Sequence, residues 1–399
     1  MDSPGTPATR HEDTASSGPS STAWGGVGTL ASVLGLRMLG LFMVLPVLAL
    51  YAERLPGATP LMVGLALGIY GLTQAGLQIP MGRLSDRIGR KPVIIFGLLV
   101  FVLGSILAAL ADSAAWLVAG RALQGAGAIS AAVTALVGDI TTPARRTRAM
   151  AVIGISIGMA FMLAFIVGPV LSAWVGVAGL FWVTAALGVG SMLVVMVFIK
   201  SPALPVAPKT TNFWAALPSV APEVAMVLVL HALLTAAFLV VPQLIVARLD
   251  LPAAQHGWVY LPVMLGSVLV MGPLILLQER LSRRLALVLA VLFIGAGMAA
   301  WLLPDGKWPL YVGLLLFFGG FNFVEAHLPA RVSLKAGDGD RGTAMGWYAT
   351  GQFLGAFVGG GAGGWLLGLA GNEAVAYAGI AAAAVWLVLV TKGGHGRES

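Results

Sequence analysis

Apolar runs of roughly twenty residues, each closed by a short polar segment, recur along the whole chain. A helix needs ~20 apolar residues to cross the hydrocarbon of a bilayer. The pattern predicts spans near 27–51, 60–82, 92–111, 114–139, 147–174 and 179–199, then 223–247, 256–278, 285–303, 308–334, 342–369 and 373–391. This is an all-α polytopic membrane protein with twelve transmembrane helices in two halves of six, 24–199 and 223–391. Between the halves, residues 200–222 carry Lys200, Pro202, Pro205, Pro208, Lys209 and Pro218. They read as a cytoplasmic linker. Residues 1–23, rich in Ser, Thr, Pro and Gly, read as a disordered cytoplasmic tail, and 392–399 as a short one. The N-terminal tail lacks a basic start followed directly by an apolar core, so it does not read as a cleaved signal.

Charge sets the orientation. Of 23 Lys and Arg, 18 fall in the segments of one side and three (Arg54, Arg248 and Lys307) in the opposite loops. The positive-inside rule then puts both termini in the cytoplasm. With 58% hydrophobic and 10% charged residues and a mean hydropathy of +0.93, a soluble domain is excluded. The net charge of +7 is topology signal and gives no reason to expect nucleic acid. The absence of cysteine removes disulfides, thiolate metal sites and thiol catalysis.

The most charged stretch between two spans is Gly82-Arg83-Leu84-Ser85-Asp86-Arg87-Ile88-Gly89-Arg90-Lys91-Pro92. It predicts a tight loop, with Gly82 and Gly89 for the turn and Pro92 in the first turn of the next helix. A positive-inside loop explains the cations but not Asp86. The second half echoes the first. Glu279-Arg280-Leu281-Ser282-Arg283-Arg284 follows Asp86-Arg87-Ile88-Gly89-Arg90-Lys91, and Arg341-Gly342-Thr343-Ala344-Met345 follows Arg146-Thr147-Arg148-Ala149-Met150, both at about 195 residues. A repeat of six spans is the build of two-halved transporters, whose site lies between the halves near mid-membrane.

The pattern G-x-L-x-D-R-x-G-R-K resembles the loop between the second and third helices of the major facilitator superfamily, where it latches the halves on the cytoplasmic side. Leu117-Val118-Ala119-Gly120-Arg121-Ala122-Leu123-Gln124-Gly125-Ala126-Gly127 is similar to that family's fourth-helix motif. Leu36 to Pro46, Phe321 to Ala326 and Ala344-Met345-Gly346 add a resemblance to its drug:proton antiporter branch. The member most resembled carries a soluble domain after its last helix, which this chain is expected to lack. The resemblance implies a latch of Gly82, Asp86, Arg87, Gly89, Arg90 and Asp139. Arg90 would meet Asp139, with Arg145 or Arg146 as local alternatives, and Asp86 would meet the start of the eleventh span near Gly342. It also implies proton coupling through Arg121, against which stands an Arg that merely pairs with helix carbonyls. In the fifth span Gly168-Pro169 remain of a helix-bending motif whose other glycines are Ala164, Ser172 and Ala173 here.

Ionisable residues inside spans are costly and are functional candidates by default. Those here are Arg37, Arg121, His231, Glu325 and His327, with Asp139 at a span end. Glu325 is expected to carry the coupling proton, with Arg37, Arg121 or His231 as its cationic partner. Gln74, Gln124, Gln243, Asn322 and Gln352 are expected to line the substrate cavity. Gly351, Gly355, Gly359 and Gly363 make a small face, either a sliding contact between halves or static packing. The function expected is proton-coupled efflux of small amphipathic compounds by alternating access, in a monomer of the bacterial inner membrane without cofactor or metal. A metabolite exporter or facilitator is the alternative within transport. A membrane enzyme is more distant, since no H-E-x-x-H, nucleophile elbow or acidic metal cluster occurs. A channel fits the latch loop and the repeat less well.

Overall fold

The computed structural model describes residues 21–199, 213–280, 282–304, 306–336 and 341–392. Most of the expected N-terminal tail, residues 200–212 of the linker and 393–399 lie outside the described residues. From Phe213 the chain is already helical, and the seventh span starts at Leu217, so the end of the expected linker belongs to it.

The first span is made of Ser21–Phe42 and Leu45–Ala52, the second of Pro60–Ile88, the third of Arg90–Ala109 and the fourth of Ala114–Ala126 and Ser130–Ile140. Pro143–Phe198 holds the fifth and sixth. The second half runs through Leu217–Leu249, Gly257–Arg280, Arg283–Ala300 and Lys307–Lys335, and ends with Arg341–Lys392, which holds the eleventh and twelfth. The two long helical runs are hairpins. Gly35 of the first span lies against Ser156, and Gly40 against Thr184. Residues so far apart in a straight helix could not reach neighbouring turns of one partner. The reversal falls at Gly176, with φ 69°, and in the second half at Ala370–Gly371, with φ 75° at the glycine. Both are the left-handed backbone that glycine alone adopts without cost.

Two spans are broken near mid-membrane, which the hydrophobic pattern does not announce. The first breaks at Met43–Val44, where Pro46 removes a donor and clashes with the preceding turn. The fourth breaks across 127–129. Gly168 packs onto the first break, where a Cβ would stand 2.0 Å from the Met43 carbonyl oxygen. Conversely, the expected loop after residue 82 is mostly helix. The second span continues to Ile88, and Gly89 alone, at φ 100°, makes the turn into Arg90.

The ends of the bundle are not equivalent. At the end carrying Pro60, the second and eleventh spans touch backbone to backbone: a Cβ on Gly64 would stand 2.1 Å from the Gly360 oxygen, and one on Gly71 2.2 Å from the Phe353 oxygen. Further along, Gly76 and Gly342 meet nothing within 4 Å. The fifth and eighth spans repeat this. Gly257 touches Ile166, Pro169 and Val170, whereas Gly154, Gly158 and Gly272 meet nothing. The halves are therefore joined at the Pro60 end and splayed at the end carrying Gly89 and the basic residues. The Gly351, Gly355, Gly359 and Gly363 face packs on the seventh span of the same half, against Val224, Leu228, Ala232 and Leu239. It packs within its own half and is not a contact between halves, which uses Gly360 and Gly364 instead.

Candidate functional site

Glu325 lies in the tenth span with its side chain one-third exposed, on the side where the halves splay. Gln352 of the eleventh span donates to its Oε1 at 2.7 Å. The His231 ring of the seventh span stands 3.9 Å from its Oε2, and the buried Tyr348 hydroxyl adjoins the carboxylate without meeting hydrogen-bond geometry. His231 Nδ1 lies 3.1 Å from the Val227 carbonyl, which assigns the proton there and leaves Nε2 to accept from Gln352 at 3.4 Å. A carboxylate, an imidazole and one carboxamide touching both form a compact polar group in an apolar wall. A second proton on His231 would point at Glu325 Oε2.

The two buried arginines do not join it, contrary to expectation. Arg37, fully buried, donates to Gln74 Oε1 at 3.0 Å and to the Gly127 carbonyl at 3.1 Å, and lies over the Phe101 ring. The break in the fourth span is what frees that carbonyl. Arg121, equally buried, donates to the Ala66 carbonyl at 3.0 Å and to Gln124 at 2.8 Å, with Tyr70 beneath it. Gln124 Nε2 in turn donates a hydrogen bond to Ser105 Oγ at 2.8 Å. Gln74 and Gln124 each accept from an arginine through Oε1 and are buried, so they do not line a cavity, and Gln74 Nε2 has no partner among the described residues. Dipoles and ring faces meet part of these charges in place of a carboxylate, while Arg37 Nε and Nη1 and Arg121 Nη2 are buried without a hydrogen-bond partner among the described residues. Asn322 donates to Ser267 Oγ at 2.8 Å, beside Glu325 but not bonded to it. Gln243 is not in the cavity at all. It lies at the joined end and donates to Glu53.

One turn beyond Glu325, towards the joined end, aromatic side chains of both halves close the space. Phe161 stacks on Phe321 with centroids 6.0 Å apart, and Phe165 contacts Phe238, Tyr260 and Phe318. Phe161 and Phe165, and Phe318 and Phe321, stand at helical spacing within their spans, but nothing in the sequence says that these pairs from the two halves meet.

The latch is half assembled. Arg90 donates to Asp139 at 3.0 Å, to Ser85 Oγ at 2.7 Å and to Asp86. Arg146 instead donates to the Gly138 carbonyl. Gly82 lies near Ala131 and Arg87 is exposed. Asp86 does not reach the eleventh span. The halves are apart at this end, so its carboxylate turns to Arg90 one helical turn away. A further carboxylate, not singled out by the sequence, is Glu223 at the start of the seventh span. It is fully buried and accepts from Arg331 and from Lys335 at 2.8 Å. The signal available was that Arg331 and Lys335 stand four apart on one helix face.

The chain matches the model of the Major Facilitator Superfamily over residues 30–336. It is 42% identical to the inner membrane transport protein YajR of Escherichia coli strain K12, over 92% of this chain and 82% of that protein. It is 30% identical to the multidrug resistance protein MdtH of Aeromonas hydrophila subsp. hydrophila, over 82% and 84%. Among solved structures, the human organic anion transporter MFSD10 superposes with a TM-score of 0.66 at 20% identity, over 92% of this chain and 99% of that one. The nucleoside transporter NupG superposes at 0.69 and 14% identity, over 92% and 99%. At those identities the likeness is one of fold. With twelve spans in two halves and a polar group between them, the chain belongs to the Major Facilitator Superfamily and is a multi-pass membrane transporter.

Proposed function

We propose that this transporter is a proton-coupled exporter of small amphipathic compounds, working by alternating access, with Glu325 and His231 as the coupling pair. The observation that carries the reading is the placement of Glu325, a carboxylate with its side chain one-third exposed, whose buried Oε2 makes no hydrogen bond and has a titratable imidazole 3.9 Å away. A coupling group must meet water from one side at a time and hold its proton through the exchange. The aromatic closure at Phe161 and Phe321 is what separates Glu325 from the other side in this state. The same rings offer flat apolar faces to a substrate while Asn322 and Gln352 offer polar contacts. The name of the MdtH relative, a multidrug resistance protein, is in keeping with such a substrate.

In proteoliposomes with an imposed pH gradient, a carried compound is expected to move saturably and to release protons in the opposite direction. Saturable movement without proton movement would overturn the coupling. The latch belongs to the same cycle, since Asp86 and Asp139 must close the basic end when the cavity opens elsewhere. Asp86→Asn and Asp139→Asn are expected to slow flux several-fold while inserting normally. Each removes a part-exposed pair contributing about 0.2–1 kcal/mol here. Wild-type flux in both would reduce the loop to a topology signal.

We place the basic end, both termini and the linker in the cytoplasm of a bacterium. The chain has no cysteine, so Pro205→Cys and Glu53→Cys each give one reporter in intact cells. An impermeant maleimide is expected to label position 53 and not 205. Labelling at 205 would invert the topology.

A further inference from the structure

We infer that Glu53 and Gln243 form the polar clasp that holds the two halves together at the joined end, and that this pair sets how often the transporter opens there. Gln243 Nε2 donates to Glu53 Oε1 at 2.5 Å. Among the described residues this is the one side-chain hydrogen bond that runs from one half to the other, and no ion pair does so. The other contacts that cross among the described residues are apolar side chains and close-packed backbone. Such contacts fix how close the halves come. A directional bond to a charged acceptor adds a definite partner.

The position suits the task. Glu53 closes the broken first span, with its own N–H on the Ala49 carbonyl. Gln243 follows Pro242 in the seventh span. The pair lines a cavity of about 190 Å³ together with Thr59, Pro60, Val63 and Leu367. It therefore stands beside the place where Pro60 meets Gly364 and Gly368 of the eleventh span. Spans one, two, seven and eleven must separate there for the cavity to open to that side, and the bond must break in doing so. Glu53 is exposed, so water can replace Gln243 and the clasp is reversible. At the other end Arg90 spends its bonds within its own half. The polar tie between halves thus exists on one side only, and it favours the state seen.

The test needs no substrate and no proton gradient, so it stands or falls apart from the transport reading. Nitroxides on cysteines at Leu110 and Leu303 report the joined end, and a pair at Ile88 and Leu334 the splayed end. All four side chains are exposed. Distance distributions are measured on the full chain in lipid nanodiscs. Gln243→Glu, which sets two carboxylates against each other, is expected to move the ratio of the two states on the order of tenfold towards opening at Leu110–Leu303. The Ile88–Leu334 distance should shorten in step. Gln243→Lys, which restores an attractive partner, is expected to keep the original distribution. Should Gln243→Glu fail to fold, Glu53→Ala, altered at an exposed position, carries the same expectation. Unchanged distributions in the folded Gln243→Glu or Glu53→Ala chain would overturn the clasp.

Discussion

Glu325→Gln is expected to leave the protein folded, inserted and able to bind its substrate, and to bring proton-driven flux down to the level of empty vesicles. Glutamine has the size and neutrality of the protonated acid but cannot release a proton. Its carbonyl oxygen can still accept from Gln352, so the local cost should stay within about 1 kcal/mol. Substrate binding should lose most of its dependence on pH, because the carboxylate of the Glu325–His231 pair is gone. His231, held by the Val227 carbonyl on one nitrogen and facing Gln352 with the other, then has no carboxylate to answer its proton. The competing idea is a Glu325 that only ties helices. In that case the variant would melt early or express poorly, and any protein that survived would still pump. A folded Glu325→Gln chain that moves substrate against a gradient would sink the coupling role.

Gly64→Val should be the most damaging single change outside the polar site. The added Cβ would stand 2.1 Å from the Gly360 carbonyl oxygen and 2.8 Å from the Gly364 Cα. Both are backbone, so no side chain can rotate out of the way and one helix must retreat. Overpacking costs about 1–3 kcal/mol where neighbours can adjust, and here they cannot without parting the halves. The expected readings are a lower melting temperature in detergent and a shorter-lived state open at the basic end. Gly76→Val on the same helix is the control. Nothing lies within 4 Å of its Cβ position, so it should melt like the parent. Equal melting of the two variants would mean that the second and eleventh spans are not held as tightly as described.

Much of this was legible in the residues. Span length and the one-sided cations gave twelve helices in two halves. The motif around Gly89 gave the Arg90–Asp139 pair, now at 3.0 Å, and rarity of charge inside spans singled out Glu325 and His231, which stand 3.9 Å apart. What was not legible depends on rotation about a helix axis. An apolar span reads alike on all sides, so Gln243 could face the cavity or the rim, and it faces the rim. The four-residue glycine stripe does not say whether it meets its own half or the other, since Gly359 and Gly360 present different faces one residue apart. Arg37 needed a carbonyl that exists only because the fourth span breaks at Gly127, and a break without proline leaves little trace in composition.

The reversals at Gly176 and Gly371 lie about 195 residues apart, the spacing of the repeated motifs. In each the chain turns within one or two residues, with no loop between the helices. A connection without slack lets neither helix slide along its neighbour or tilt alone. Spans five and six, and likewise eleven and twelve, then act as forks that swing about a stiff elbow. The fifth and eleventh spans are the prongs that touch the opposite half near the elbow, so a small displacement there is multiplied over the length of the prong at the basic end. In mechanical terms this state is a pair of levers resting on each other near the Pro60 end, and its glycines let them lie that close.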